Sequence, residues 1–148
     1  MGVVASMQPY HKADDGRYAE VAIGKERLAG SYAFRQLLDS GAILIFGSDW
    51  PVVTLNPFKG IDSAVNARTV AGDFWLPSHS LTVEEALRAY TVTPPQAIHR
   101  SDILGTIEVG KYADLVILHE DPLMMNPDRL GQIKVAVTIV KGEVVYED

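Results

Sequence analysis

The sequence predicts a protein of the α/β class whose C-terminal segment is rich in β-strands, and three observations support this. The run Ala42–Phe46 is apolar throughout and lies between Gly41 and Gly47, as expected of a buried parallel strand. Residues 2–7 form a second apolar segment, and the loop and helix that follow lead into that run, which predicts a strand–helix–strand crossover. After residue 104, short apolar runs separated by turn residues replace the helical pattern.

Composition places the chain among ordinary globular proteins and excludes several functions. Of its 148 residues 47% are hydrophobic and 22% are charged. The formal net charge of −6 argues against a nucleic-acid partner or an anionic membrane surface. The absence of cysteine excludes disulfides and thiolate metal sites. No apolar run approaches the length of a membrane span and no secretory signal is recognisable, so we expect a cytoplasmic protein.

Two helices are predicted in the first half of the chain. After Pro9, which ends the pairing of the first strand, residues 12–24 have the polar composition of a loop. The spacing of apolar residues then predicts a helix over 25–40, with Gly41 just past its end. Its buried face would be formed by Leu28, Tyr32, Phe34, Leu37 and Leu38. Gly30 in its middle could allow close packing, and a second helix is predicted over 58–70.

The second half begins with a clear helix start. Thr82 with Glu85 three residues later is a capping-box pattern, and apolar residues follow at helical spacing. Two prolines, at 94 and 95, end this helix, and a short helical turn is expected over 95–99. A short strand and a turn are predicted over 105–110. Strands are predicted over 113–119, 135–140 and 143–146, the last two joined by a hairpin at Lys141–Gly142.

Asp49 is the leading candidate for chemistry. It lies just past the carboxyl end of the buried strand, which is where α/β proteins place their functional groups. An aspartate in this position can also cap the turn that follows. The residues by themselves favour neither interpretation.

Four segments of the chain resemble the amidohydrolase superfamily, in particular its amidohydrolase-3 or YtcJ-like branch. In chain order they are Ala5–His11, Gly47–Val52, Glu84–Thr91 and Gly105–Val116, which read ASMQPYH, GSDWPV, EEALRAYT and GTIEVGKYADLV. The family fold is a TIM-like (β/α)8 barrel flanked by a small β-sandwich. The resemblance therefore implies that residues 1–104 are the C-terminal part of such a barrel, about strands 7 and 8 with their helices. Residues 105–148 would then be β-strands of the sandwich.

The resemblance also implies a chemistry for Asp49. In such enzymes the aspartate after strand 8 binds the catalytic divalent metal, most often zinc, and exchanges a proton with the metal-bound water that attacks a C–N bond in an amide-like or cyclic amide substrate. By position, Gln8, His11 and Trp50 are candidates for contacting the substrate. Trp50 could equally pack beneath the barrel rim, an interpretation slightly favoured at this point.

The histidines that complete the metal site in this family are absent from the sequence. Of the four histidines present, His79 could line the rim of the site, whereas His99 and His119 are expected to be structural. The N-terminal two thirds of the barrel, with the other ligands, would lie outside these residues. The chain alone is therefore expected to bind no metal and to be inactive. Asp114, in the family marker Ala-Asp-Leu-Val, is predicted to bind turn backbone groups.

Two functions remain in competition on this basis. The first is the C-terminal part of a metal-dependent amidohydrolase that acts on small molecules. The second is a non-catalytic binding or self-assembly module that keeps the remnant fold. A third, an anion-binding α/β domain, lacks the glycine-rich loop that it needs. Because an incomplete barrel leaves open strand edges and apolar surface, self-association is expected in either case.

Overall fold

The computed structural model describes residues 2–148 and contains two separate sheets. The first sheet pairs β1 (Val4–Met7) with β2 (Ile43–Phe46). The strands are parallel, with Val4 opposite Ile43 and Met7 opposite Phe46. The predicted strand–helix–strand crossover with a parallel pair is therefore confirmed. Because the pair is parallel, the residues that follow Met7 and Phe46 emerge at the same edge.

The crossover between these strands is more broken than the sequence predicts. It contains α1 (Pro9–Asp15), α2 (Ala19–Ile23), a 3₁₀ helix (Lys25–Gly30) and α3 (Phe34–Asp39). The predicted loop over 12–24 is wrong, because Pro9 occupies the first turn of α1, where its missing N–H costs nothing.

The single helix predicted over 25–40 is also wrong. Tyr32 has a φ of 49°, in the left-handed region, which interrupts the helix between Gly30 and α3. The hydroxyl of Tyr32 donates a hydrogen bond to Asp15 at the end of α1. A contact distant in the sequence thus holds the chain where periodicity alone favours a helix. Gly41, with a φ of 79°, closes the end of the segment as expected.

After β2 the chain forms three helices that pack beside it. These are α4 (Pro57–Asn66), α5 (Val83–Thr91) and α6 (Pro94–Ala97), with a 3₁₀ turn at Pro77–His79. The predicted capping box is confirmed in both directions: Glu85 N donates to Thr82 Oγ1 at 3.2 Å, and Thr82 N donates to Glu85 Oε2 at 2.7 Å. The helix predicted over 58–70 stops at Asn66, because Ala67 has a φ of 52°.

The C-terminal sheet is antiparallel, in the order β3–β4–β5. Its strands are β3 (Leu115–Leu118), β4 (Val135–Val140) and β5 (Glu143–Glu147). Lys141 and Gly142 both have positive φ, as a tight hairpin turn requires. The strand predicted over 105–110 is wrong, because glycines with φ of 97° and 96° at its two ends turn the chain instead. Asp114 Oδ1 accepts a hydrogen bond from Lys141 N at 2.7 Å, which confirms its structural role.

One hydrophobic core joins the helices, β2 and part of the C-terminal segment. It includes Phe34, Phe46, Ile61 and Ala86, together with Leu130, which is fully buried. Leu130 belongs to a 3₁₀ helix, Pro127–Gln132, that packs on α4. This core fixes β2, and with it the loop that carries Asp49, against α3, α4 and α5. Within residues 2–148, no helix is both long enough and apolar enough to cross a bilayer.

Candidate active site

The carboxyl ends of β1 and β2 lie side by side, and the loops that leave them form the candidate site. Gly47 N donates to Met7 O at 3.2 Å, so the pairing of the two strands extends one residue past β2. Gln8 follows β1 directly, and Asp49 comes two residues after this last bond. The parallel register alone therefore brings these two loops together.

Asp49 holds its carboxylate away from the local turn. Its φ is 57°, a left-handed conformation that aspartate tolerates better than most residues. The turn is built by other groups, since Trp50 N donates to Ser48 Oγ at 3.2 Å and Val52 N donates to Asp49 O at 3.0 Å. In the part of the chain that the structure describes, the Asp49 carboxylate accepts no hydrogen bond, and 59% of the side chain is exposed. This carboxylate is thus free to bind a ligand.

His11 is the nearest ionisable neighbour of Asp49. It lies in the first turn of α1, and its Nε2 is 4.0 Å from Asp49 Oδ2. That Nε2 is buried and finds no hydrogen-bond partner among residues 2–148. Residues 38 positions apart in the sequence therefore meet at the edge where the resemblance placed them.

Gln8 and Trp50, the other two residues predicted to contact substrate, lie close to His11 and Asp49 along the chain. Gln8 is half-buried at the N-terminal end of α1, and its side chain makes no capping hydrogen bond there. Trp50 is 64% exposed, so the interpretation that it packs beneath the rim is wrong. The two side chains differ in kind: an amide able to donate and accept, and a large apolar ring open to solvent.

Comparison with known proteins identifies the family. The profile of the amidohydrolase family matches residues 1–146. The chain belongs to the amidohydrolase family. A putative amidohydrolase of Bacillus subtilis, YtcJ, is 30% identical over 150 residues, which cover 99% of this chain and 28% of that protein. An N-substituted formamide deformylase of Arthrobacter pascens is 36% identical over 116 residues, covering 78% of this chain and 21% of the deformylase.

The fold agrees with that assignment. The crystal structure of an uncharacterised metal-dependent hydrolase from Pyrococcus horikoshii superposes with a TM-score of 0.75 and 30% sequence identity. The match covers 85% of this chain and 26% of the hydrolase. This amidohydrolase chain thus spans less than a third of the length of the relatives that it matches.

Two of the remaining histidines of this amidohydrolase chain have other partners. His79 is buried, with its Nδ1 2.9 Å from Ser31 O, so the structure places it in the interior and not on the rim. His119 Nε2 is 3.2 Å from Asp148 Oδ2 in the C-terminal sheet. Within the described residues, no group of three or more histidine or acidic side chains could hold a metal ion. Asp49 is thus an exposed carboxylate without a metal-binding set around it in the described residues.

Sequence reasoning missed a buried lysine beside His11. Lys12 is only 1% exposed, and its Nζ donates to Leu76 O at 3.1 Å. Burial lowers the pKa of Lys12 to about 8. No pattern around it predicts this burial, because the surrounding residues are polar and have the composition of a loop. The one usable signal was Pro9, which suits the first turn of a helix.

Proposed function

We propose that this chain is the C-terminal part of a metal-dependent amidohydrolase that hydrolyses C–N bonds in small amide-like or cyclic amide molecules. The observation that carries the proposal is the Asp49 carboxylate, free of local partners and presented at the carboxyl end of a parallel strand, in a chain of this family. The deformylase relative supports a C–N bond as the target, and the Pyrococcus hydrolase supports dependence on a metal.

In this proposal Asp49 would be one ligand of a divalent metal, zinc, together with ligands from outside these residues. The metal, when bound, makes a water molecule acidic enough to serve as a nucleophile near neutral pH. Asp49 would accept a proton from the attacking water through its second carboxylate oxygen and would deliver it to the leaving nitrogen. Its exposure and its lack of competing hydrogen bonds in residues 2–148 leave both oxygens available.

The substrate would lie against the loops that leave β1 and β2. Gln8 would donate to, or accept from, polar atoms of the substrate, and His11 would contact the reacting region from α1. Trp50 would cover the apolar part of the substrate with its ring. These roles rest on the positions of the side chains around Asp49 and on the family assignment.

The same proposal covers the architecture and setting of the intact enzyme. Residues 1–104 would supply strands 7 and 8 of a (β/α)8 barrel, and residues 105–148 strands of a flanking sandwich. The enzyme would act in the cytoplasm on small-molecule substrates. Because one carboxylate cannot hold a catalytic metal alone, the 148 residues by themselves would be inactive.

A second candidate, a non-catalytic self-assembly module, has support of its own. Large apolar side chains are exposed on the C-terminal sheet, among them Val116, Ile117 and Val144. Such surface on a small domain is typical of an interface. Self-association belongs to this candidate and is compatible with the first.

Metal content and turnover distinguish the two candidates. We expect the 148-residue chain to carry no stoichiometric zinc by elemental analysis and to leave formamides and cyclic amides unchanged. Fusing it to the upstream barrel segment of YtcJ, the relative that it matches over 99% of its length, should restore both properties. Asp49→Asn in the fusion should reduce turnover by at least about 100-fold. Asp148→Asn, in the C-terminal sheet, removes a carboxylate in the same way and should leave turnover unchanged. A fusion that folds but binds no metal would favour the assembly module.

A further inference from the structure

One ring nitrogen of His11 lacks a hydrogen-bond partner within residues 2–148. Its Nε2 is buried and lacks a partner among the described residues, and a buried polar atom of this kind is costly. Asp49 Oδ2, which can accept a hydrogen bond, lies 4.0 Å from this nitrogen. That separation exceeds a hydrogen bond of about 2.9 Å by roughly 1 Å, which a small shift of one side chain can close.

His11 and Asp49 are held in place to different degrees, and this difference indicates which side chain would move. Helix α1 is held by the two residues that follow His11: Lys12 Nζ donates to Leu76 O at 3.1 Å, and Val70 N donates to Ala13 O at 3.0 Å. The His11 side chain is 21% exposed, whereas that of Asp49 is 59% exposed on a loop. His11 is therefore the residue that is held in place, and Asp49 is the residue whose side chain would move.

We propose that His11 is a positioning residue for Asp49: its Nε2–H donates to Oδ2 and fixes the orientation of the carboxylate, so that Oδ1 would be the oxygen left to bind a metal. This inference rests on the proposed function: Oδ1 would bind the metal, and Oδ2 would accept from His11 with one lone pair and keep the other for the proton of the attacking water. Carboxylates that bind metals are themselves hydrogen-bonded in this manner, and the partner fixes their orientation.

A direct contact between His11 and the substrate is the competing role, and it makes a different prediction. A residue that only binds substrate donates no hydrogen bond to Asp49 when no substrate is present. A positioning residue is coupled to Asp49 in the free protein. The coupling can therefore be measured in the 148-residue chain without metal or substrate.

The experiment is a double-mutant cycle on chemical unfolding, with His11→Leu, Asp49→Gly and the double variant. Glycine removes the acceptor at a position of positive φ, and any relief of backbone strain cancels within the cycle. Measurements at about pH 9, where histidine side chains are neutral, and in about 1 M salt suppress ion pairing and leave the hydrogen bond. We expect the unfolding equilibrium constants to show a coupling of threefold or more; a smaller coupling overturns the proposal.

Two further variants separate positioning from simple packing. His11→Gln keeps an N–H donor of similar reach, so Asp49→Gly should cost as much stability in this background as in the wild type and the cycle should show little coupling. His11→Asn is too short to reach Asp49, so its cycle should show the same coupling as that of His11→Leu. Should His11→Leu fail to fold, His11→Asn takes its place in the cycle. Equal coupling for Gln and Asn would contradict the proposal. Failure of the YtcJ fusion to bind metal would refute the proposed function and leave the cycle unaffected.

Discussion

At the scale of single residues, the surroundings of Lys12 disfavour its charged form. Lys12 is almost fully buried, and among the described residues its Nζ contacts a main-chain carbonyl at 3.1 Å and the ring of Phe34, whose centroid is 5.9 Å away. Desolvation outweighs these contacts and lowers the pKa of Lys12 from 10.5 to about 8. The folded protein therefore releases this proton more readily than the unfolded chain does.

This difference predicts a pH dependence of stability with a definite sign. Between about pH 8 and pH 10.5 the unfolded chain keeps the proton while the folded chain has lost it, so the free energy of unfolding rises with pH in this window. Relative to Lys12→Met, the wild type should gain about 2–3 kcal/mol across the window. Urea unfolding of both proteins at several pH values measures this gain. Parallel pH profiles would show that the ammonium is better solvated than its burial implies.

The residues of the candidate site were predictable to different degrees. The position of Asp49 at the carboxyl end of a strand could be predicted from the sequence, because glycines on both sides of the buried strand mark where the chain leaves the sheet. The proximity of His11 followed once the strands were known to be parallel. The exposure of Trp50 and the burial of His79 could not be predicted, because each depends on contacts between segments far apart in the sequence.

At the scale of secondary-structure elements, Gly60 sets how closely α4 approaches α5. A Cβ built on Gly60 would lie 2.0 Å from the hydroxyl oxygen of Tyr90. Alanine at this site gains about 1 kcal/mol in helix propensity, but the overlap forces the ring or the helix to move. The approach of α5, and with it the packing behind β2, thus depends on this glycine.

Gly60→Ala should therefore destabilise the protein by about 1–3 kcal/mol, measured by chemical unfolding. Adding Tyr90→Phe should recover part of that loss, because it removes the overlapping hydroxyl. Gly30→Ala is the matched control: nothing lies within 4 Å of a Cβ there, so its change in stability should stay within about 1 kcal/mol. Similar losses at both glycines would contradict the close approach of α4 and α5.

The elements themselves were predicted best where the signal is local. The capping box at Thr82 and the hairpin at Lys141–Gly142 are formed as expected, because neighbouring residues make all the required contacts. The helix over 25–40 failed because Tyr32 bonds to Asp15, across a turn that periodicity does not detect. Likewise, Gly30 faces open space and serves no close packing.

At the scale of the whole molecule, the order of strands and helices was largely readable from the sequence, but the shared core was not. The C-terminal segment contributes Leu130 and Ile133 to the core that surrounds Phe34 and Phe46. Nothing in the pattern of the loop before β4 predicts that it folds back onto α4. Such packing depends on the shapes of two distant surfaces, which periodicity does not describe.

The C-terminal sheet has two free edges within the described residues, and they differ in their capacity to pair with a second copy. β5 carries Glu143 and Glu147, which would face each other in an antiparallel pair centred on Val145, and such like-charged pairs are unfavourable. β3 reads Leu-Val-Ile-Leu and has no charge within it. Its Val116 is 53% exposed. An apolar edge without a charged or proline residue is the kind that associates.

We therefore expect the 148-residue chain to self-associate through β3, with an average mass by size-exclusion chromatography and light scattering that rises with concentration. Val116→Lys should shift the chain toward monomer, because antiparallel pairing centred on this position would oppose two ammonium groups. Val21→Lys, on α2 at a residue that is 92% exposed, adds the same charge away from the sheet and should leave the association unchanged. A monomer at every concentration would refute self-association, and equal effects of the two lysines would locate the contact elsewhere than β3.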